Sequence, residues 1–174
     1  MLLRHAKALR PPGAHDHERP LAPSGRAAAP LMAAHMRAEG FLPDAVIVST
    51  ALRTLETWEL ARENLTGETP AKVETDFRIY EANFEALLAV ISGVLPEFKS
   101  LLIVGHNPGM SELAVLGSEP MRSDRKALAT AILKYPTCSL AVIDFNQEHW
   151  TLKPRTGKFQ RFITPSMIGG RDEE

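Results

Sequence analysis

The stretch LLIVGHNPGMSEL, residues 101–113, joins an apolar strand, a histidine and the start of a helix. Its first part, LLIVG at 101–105, is β-branched-rich and apolar throughout, which is typical of a strand covered on both faces of a sheet. AVIVS at 45–49 and SLAVIDF at 139–145 have the same character. Segments with helical spacing separate these strands. We therefore predict an α/β fold, a three-layer α/β/α sandwich with a mostly parallel central sheet.

The clearest predicted helix follows Asn83, a residue type whose side chain caps helix N-termini. Its apolar positions keep the i, i+3, i+4, i+7 spacing of one buried face: Phe84, Leu87, Leu88, Ile91 and Leu95. Pro96 ends it, because proline lacks the amide hydrogen that a helix interior needs. Further helices are predicted over about 22–39, 51–64 and 109–116. The first ends at Gly40 and contains Pro30, which predicts a kink or a late start.

The overall composition indicates one domain. A chain of 174 residues, 44% hydrophobic and 24% charged, can bury one good core but is too short for two ordinary ones. We expect this domain to span residues 1–168, with a disordered tail, GGRDEE, at 169–174. The formal net charge of −1 argues against a nucleic-acid-binding protein, because such proteins usually carry a basic excess.

The single cysteine, Cys138, rules out an intramolecular disulfide and a multi-thiolate zinc site, and it fits a reducing compartment. The sequence has neither an apolar run of about 18 residues nor a signal-peptide pattern, so we expect no membrane association and a cytoplasmic location. Asp144 stands where a cysteine phosphatase loop starting at Cys138 would need an arginine. The sequence has no G-x-x-x-x-G-K-[ST] loop, which a P-loop nucleotide triphosphatase needs, and no G-x-S-x-G elbow, which a serine hydrolase of the α/β-hydrolase type needs.

Arginine and histidine side chains follow three of the predicted strands. Arg4 and His5 directly follow a short apolar start, with only two or three residues of strand before Arg4. His106 follows the strand of the opening stretch, and Arg53 lies in the first turn of the helix after the 45–49 strand. Parallel sheets bind ligands at the carboxyl ends of their strands, so we expect these four side chains at one rim. They outline a pocket for a tetrahedral oxyanion.

The same four side chains suit phosphoryl transfer. Imidazole is a nucleophile only when neutral, and nearby guanidiniums lower its pKa below the ordinary value of about 6.5. We expect Arg4 and Arg53 to keep His5 unprotonated and to bind phosphate oxygens through their planar forks. His106 can donate to the same oxygens during transfer. His5 then becomes transiently phosphorylated, and water releases the phosphate.

Five blocks run through the chain in order, and a sixth closes it: LLRHAKA at 2–8, DHERPLAPSGR at 16–26, VSTALRTLET at 48–57, IYEA at 79–82, VGHNPGMSEL at 104–113 and FITP at 162–165. Together they resemble the motifs of the histidine phosphatase superfamily, in its phosphohistidine phosphatase branch named for SixA. The resemblance implies a phosphoglycerate-mutase-like fold. It also implies that His5 is the nucleophile, that Arg4, Arg53 and His106 bind phosphate, and that no metal or organic cofactor is needed.

The resemblance also places Glu81, in IYEA, where the superfamily carries the acid that protonates the leaving group. An alkoxide needs that proton, whereas imidazole leaves phosphohistidine far more readily, so Glu81 keeps phosphomonoesters among the candidate substrates. The alternative is a solvated glutamate before the Asn83 cap. Arg19, in a loop that flanks the site, and Asn107, next to His106, are further expected substrate contacts.

Two other features of the sequence have both a functional and a purely structural interpretation. One is a dense cluster of metal-ligand residue types: His15, Asp16, His17 and Glu18. Adjacent side chains in one loop rarely converge on an ion, so we favour a solvated loop with an Asp16–Arg19 ion pair over a metal site. Ser49 either lines the pocket or starts the turn into the next helix, and we favour the second role.

Three functions remain, in order of preference. The first is a metal-independent phosphatase that forms a phosphohistidine at His5 and acts on phosphohistidine in a protein, such as a histidine phosphotransfer domain, or on a small phosphorylated metabolite. The second is a phosphate-binding module without turnover, which needs the arginines but not both histidines. The third is a phosphomutase, which needs a lid that excludes water, and the short chain has no obvious insertion for one. We expect a monomer.

Overall fold

The computed structural model describes residues 1–65, 70, 72–146, 150 and 152–174. The strands within these residues are β1 (Leu2–Arg4), β2 (Ala45–Ser49), β3 (Lys72–Asp76), β4 (Leu101–Gly105), β5 (Leu140–Asp144) and β6 (Lys158–Ile163). They form one sheet in the order β3-β2-β4-β1-β5-β6. β1 to β4 are parallel, and β5 is antiparallel to both of its neighbours. The predicted α/β class and mostly parallel sheet are confirmed.

Helices cover both faces of the sheet: α1 (Pro23–Ala38), α2 (Leu52–Arg62), α3 (Phe84–Ile91), α4 (Gly109–Leu116) and α5 (Arg125–Leu133). Successive side chains of a strand point to opposite faces, so β2 and β4 supply two cores. Ile47 and Ile103 pack with α3, α4 and α5, whereas Val48 and Val104 pack with α1 and α2. The three layers that the sequence predicted are therefore present. No helix in the described ranges is long and apolar enough to cross a membrane.

The helix predicted after Asn83 is α3, and it ends earlier than its apolar spacing suggests. The Asn83 side chain accepts a hydrogen bond from the Ala86 amide over 3.0 Å, as predicted for the cap. α3 stops at Ile91, and Leu95, expected on its buried face, is 46% exposed. The reason is the Ser-Gly pair at 92–93, which has low helix propensity and precedes Pro96.

Helix α1 begins at Pro23 and continues through Pro30, so the late start considered from the sequence is wrong. Its end is as predicted. Gly40 adopts the left-handed region at φ 73°, and the Phe41 amide donates to the Met36 carbonyl over 2.8 Å. This glycine closes the helix because a residue with a Cβ is strained in that conformation.

The tail at 169–174, which the sequence predicts to be disordered, forms hydrogen bonds with the domain. The Ser166 amide and hydroxyl donate to the Asp172 carboxylate over 2.9 and 2.8 Å. The Thr137 amide donates to the Glu173 carbonyl over 2.8 Å. These bonds satisfy polar groups of the tail.

Candidate active site

The carboxyl ends of β2, β4 and β1 lie side by side at one edge of the sheet. Arg4, the last residue of β1, pairs with Gly105, the last residue of β4. The His5 amide donates to the Gly105 carbonyl over 2.9 Å, and the ring centroids of His5 and His106 are 5.2 Å apart. The strand register thus brings the two histidines to one rim.

His5 is held as a neutral imidazole with one nitrogen available. Its Nδ1 lies 2.8 Å from the Ala6 carbonyl oxygen, and because a carbonyl can only accept, the ring proton sits on Nδ1 and Nε2 keeps its lone pair. Burial lowers the pKa of His5 well below 6.5. The hydrogen bond to Ala6 opposes this effect, and the positive charges of Arg53 and Arg4 add to it. The sequence argument credited the arginines, whereas burial is the larger cause.

His106 is 5% exposed and contacts Ser49. Its Nε2 lies 2.8 Å from the Ser49 hydroxyl, while its Nδ1 is buried without a hydrogen-bond partner among the described residues. Burial, followed by the charge of Arg53, lowers the pKa of His106 to about 3. The ring is therefore neutral at physiological pH and acts through the hydrogen bond of one N–H group.

Arg53 lies in the first turn of α2 and is 5% exposed. Its Nη1 donates to the Asp16 carbonyl over 2.6 Å, and its Nη2 donates to the Asp16 carboxylate over 2.9 Å. The guanidinium also lies 5.8 Å from the centre of the Tyr80 ring. These contacts fix the guanidinium, and its Nε is buried without a partner in the described part of the chain.

Arg4 and Asn107 share one acceptor. The Arg4 Nη1 donates to the Tyr135 carbonyl over 2.5 Å, and the Asn107 side-chain amide donates to the same carbonyl over 3.2 Å. Two atoms of this pair, the Arg4 Nε and the Asn107 Oδ1, are buried without partners among the described residues. Asn107 therefore lies beside Arg4 as well as next to His106 in sequence.

Asp16 connects three parts of the rim. Its carboxylate accepts from Arg53, from the Arg19 guanidinium over 2.8 Å, and from the Tyr80 hydroxyl over 2.8 Å. The hydrogen bond from Arg19 is the main reason that the pKa of Asp16 lies far below its usual range. The Asp16–Arg19 ion pair predicted from the sequence is confirmed. The described residues include no group of three or more His, Cys, Asp or Glu that could hold a metal ion.

Glu81 occupies an exposed turn just before α3, with the left-handed φ of 52°. Its carboxylate does not line the cavity that the described residues form around His5. Its charge does reach the site, because it is one of the groups that raise the pKa of Tyr80 after burial and Asp16. The structure therefore brings Arg4, His5 and Arg53 together around this cavity. His106 lies next to His5 but, like Asn107 and Glu81, is not part of the cavity lining.

A cavity of about 240 Å³ opens at this edge of the sheet, lined by Arg4, His5, Lys7, Ala8, Arg10, Arg19, Arg53, Thr137 and Glu174. Its positive lining suits a phosphoryl group. A larger cavity of about 410 Å³ lies at the opposite ends of the parallel strands, where its walls include Phe41, Ile91 and Leu113. That cavity is distant from the histidines and does not share their chemistry.

Two contacts of the site were not predicted. Ser49, assigned a structural role from the sequence, contacts His106, and Tyr80 packs edge-on against the same ring with centroids 5.5 Å apart. Tyr80 lies within the IYEA block, so the block itself was the available signal. The Ser49 contact depends on the register between β2 and β4, which the sequence pattern does not specify.

No family model matches the chain, but several proteins are similar to it in sequence over most of their length. An uncharacterized protein of Mycobacterium tuberculosis strain H37Rv is 35% identical over 148 residues, which cover 85% of this chain and 89% of that protein. An uncharacterized protein of Mycobacterium leprae is 33% identical over 170 residues, which cover 94% of this chain and 99% of that protein.

Among solved structures, the proposed phosphohistidine phosphatase SixA of Agrobacterium tumefaciens is similar with a TM-score of 0.75 and 29% identity, over 94% of this chain and 96% of that chain. The chain belongs to the histidine phosphatase superfamily, in its SixA-type branch. The proposed SixA of Nakamurella multipartitia shares the fold at a TM-score of 0.76 and 24% identity, over 94% of this chain and 95% of that chain. The predicted phosphoglycerate-mutase-like fold is confirmed, and membership in the superfamily indicates a phosphatase.

Proposed function

We propose that the protein hydrolyses a phosphorylated substrate through a covalent phosphohistidine on His5. In the first step the Nε2 lone pair attacks phosphorus, the N–P bond forms, and the bond to the leaving group breaks with its electron pair. In the second step a water oxygen attacks phosphorus, the N–P bond returns its electrons to Nε2, and phosphate leaves. The substrate is phosphohistidine in a protein, such as a histidine phosphotransfer domain, or a small phosphomonoester.

One observation carries the proposal. Three nitrogen atoms, the Nε of Arg4, the Nε of Arg53 and the Nδ1 of His106, are buried without hydrogen-bond partners among the described residues. A buried donor left unpaired costs about 1–3 kcal/mol, so folded proteins rarely keep several together. They come from β1, from α2 and from the residue after β4, which meet at one rim. A phosphoryl group would accept from all three.

The neutral state of His5 supports nucleophilic attack rather than simple anion binding. A module that only held phosphate would gain affinity from a protonated imidazole, whereas desolvation lowers the pKa of this partly buried imidazole well below 6.5. The fixed Nδ1–H bond to Ala6 also directs the lone pair to Nε2. The arginine charges supply the electrostatic stabilisation of transfer, so we propose a reaction that needs no metal or organic cofactor.

The compartment is part of the same proposal. The cysteine Cys138 is buried and free, and burial raises the pKa of its thiol to about 12, which makes it unreactive. A chain with a single cysteine cannot form an intramolecular disulfide, and this suits a cytoplasmic protein that acts on intracellular phosphorylated proteins or metabolites.

The test compares the wild type with His5→Ala and with His35→Ala, a control in α1. Turnover is measured with para-nitrophenyl phosphate and with a phosphohistidine-bearing phosphotransfer domain. We expect His5→Ala to abolish both activities and to lose an acid-labile phosphoryl label that the wild type acquires from substrate, while His35→Ala retains both. Full activity in His5→Ala would disprove the mechanism. Binding of phosphate without turnover by the wild type would favour the non-catalytic module.

A further inference from the structure

We propose that the mouth of the phosphate cavity contains a carboxylate-binding subsite formed by Arg4, Lys7 and Lys134. The substrate then carries a carboxylate close to its phosphoryl group, and Glu174 occupies the subsite between turnovers. This inference rests on the proposed function and narrows its substrate class. The carboxylate comes either from a small metabolite or from an acidic residue beside the phosphorylated side chain of a protein.

The position of Glu174 is the first observation. One oxygen of its carboxylate lies 3.4 Å from the Arg4 Nη1, and the other lies 3.5 Å from the Lys134 Nζ. The Lys7 ammonium donates to the main-chain oxygen of Glu174. Glu174 also lines the cavity that contains His5, so its carboxylate lies at the entrance to the phosphate site.

Separate contacts hold the preceding residues in place. The Glu173 carbonyl accepts from both the amide and the hydroxyl of Thr137 over 2.8 Å. The Ser24 hydroxyl donates to the Glu173 carboxylate over 3.0 Å. Because these bonds set the path of the chain, the surface holds an extended acidic segment through its backbone as well as through its charge.

The charges of the cavity are the second observation. Its lining includes more cationic groups than one phosphoryl group needs: Arg4, Lys7, Arg10, Arg19 and Arg53. Arg53 and Arg19 are already held by Asp16, and Arg19 also donates to the Leu9 carbonyl. Lys7 and Arg10, together with Lys134 beside Glu174, are left for a second anion.

Arg4 links the two anion sites. Its Nε is one of the buried donors without a partner in the described part of the chain, and its Nη1 faces Glu174. One planar guanidinium can bind an anion along each of two edges, so the carboxylate and the phosphoryl group must lie close together. The Glu174 side chain is 62% exposed, and exposed ion pairs are weak, so a substrate carboxylate can displace it.

The test uses two phosphates of similar size, 2-phosphoglycolate with a carboxylate and 2-hydroxyethyl phosphate without one. We expect the wild type to show a KM for phosphoglycolate that is lower by about two- to fivefold, the range of one exposed ion pair. Lys134→Met removes this preference for phosphoglycolate. Glu174→Gln increases the preference, because it removes the carboxylate that competes with the substrate for the subsite. Lys126→Met, an exposed control in α5, leaves both KM values unchanged.

Calorimetry separates failure of the subsite from failure of the proposed function. His5→Ala cannot form the phosphohistidine, so the binding of each compound to this variant is measured without turnover. The same measurement is made on the double variant that carries both His5→Ala and Lys134→Met. Equal affinity for the two compounds, or an equal effect of Lys134→Met on both, would overturn the subsite even if the enzyme is an active phosphatase. Wild type that turns over neither compound, while His5→Ala still prefers phosphoglycolate, would retain the subsite and reject the hydrolysis of these esters.

A second arm identifies the source of the carboxylate. Phosphorylated peptides carrying Glu or Gln next to the phosphorylated residue are compared by KM in the wild type and in Lys134→Met. Preference for the Glu peptide that Lys134→Met abolishes assigns the carboxylate to a protein substrate. Preference confined to phosphoglycolate assigns it to a metabolite. Either result supports the subsite, and no preference in either series contradicts it.

Discussion

The hydroxyl oxygen of Ser49 lies 2.8 Å from Nε2 of His106, and both side chains are buried. Since the pKa of His106 is lowered to about 3, its ring is neutral and carries a single proton. When Ser49 donates to Nε2, that proton lies on Nδ1, the buried atom without a partner among the described residues. In this tautomer, Ser49 leaves the Nδ1 proton of His106 to donate to a phosphoryl oxygen.

Ser49→Ala is therefore expected to lower kcat by about tenfold, less than the loss of a whole oxyanion donor, because the imidazole stays but its tautomer is no longer fixed. The control is Ser139→Ala, since the Ser139 hydroxyl is equally buried and has no partner in the described part of the chain. Steady-state kinetics with para-nitrophenyl phosphate measures the effect. Equal kcat values for the two variants would show that Ser49 has no positioning role.

Glu81→Gln tests the acid that the sequence resemblance assigned to the leaving group. We expect turnover of an alkyl phosphate to fall by at least about tenfold, because general acids contribute about 10²–10⁴-fold where an alkoxide must leave. Turnover of a phosphohistidine domain changes little, since imidazole needs less assistance. Glu85→Gln, an exposed change in the first turn of α3, is the control. Equal losses on both substrates would contradict the leaving-group argument.

Gly109 allows α4 to start close to the turn that contains Glu81. A Cβ at this position would lie 2.0 Å from the Ala82 carbonyl oxygen and 3.2 Å from Leu87. Gly109→Ala forces the backbone to move and is expected to cost about 1–3 kcal/mol of unfolding free energy, the usual cost of overpacking. Gly93→Ala is the control, because its Cβ would meet the Val90 carbonyl oxygen at an ordinary 3.4 Å. Urea unfolding of both variants makes the comparison, and equal stabilities would refute the expected clash.

The sheet was predictable where the strands are buried on both faces. β2 and β4 have uninterrupted apolar runs, and their predicted bounds match the structure. β3 was not predicted, because it is an edge strand with the sequence KVETD, whose side chains are mostly exposed and whose pattern has no apolar run. β6 and α5 were also missed. The β6 sequence KFQRFI has neither an apolar run nor a strict apolar/polar alternation, and α5 has a short apolar face.

The candidate site was predictable by residue type but not by contact. The sequence rule that parallel strands present ligands at their carboxyl ends was enough to place His5 beside His106. The Asp16 contacts with Arg53 and Tyr80 depend on the path of the loop after β1, and the Glu174 contact depends on the path of the tail. Such paths follow from long-range hydrogen bonds, which periodicity and propensity do not encode.

The stability of the protein is expected to fall with acid partly through His106. Burial, with the charge of Arg53, lowers the pKa of His106 from 6.5 to about 3 in the folded state. Between these pH values the unfolded chain binds a proton at this ring and the folded chain does not, so falling pH favours unfolding. The contribution is fully present above pH 6.5 and is lost progressively as pH falls towards 3, at about 1.4 kcal/mol per pH unit.

His106→Gln removes this titration, so its unfolding free energy between pH 6 and pH 4 is expected to decline less steeply than that of the wild type, by about 1.4 kcal/mol per pH unit. Urea unfolding at several pH values measures both slopes. Parallel curves for the wild type and His106→Gln would mean that His106 takes up its proton equally in the folded and unfolded states, contrary to its burial beside Arg53.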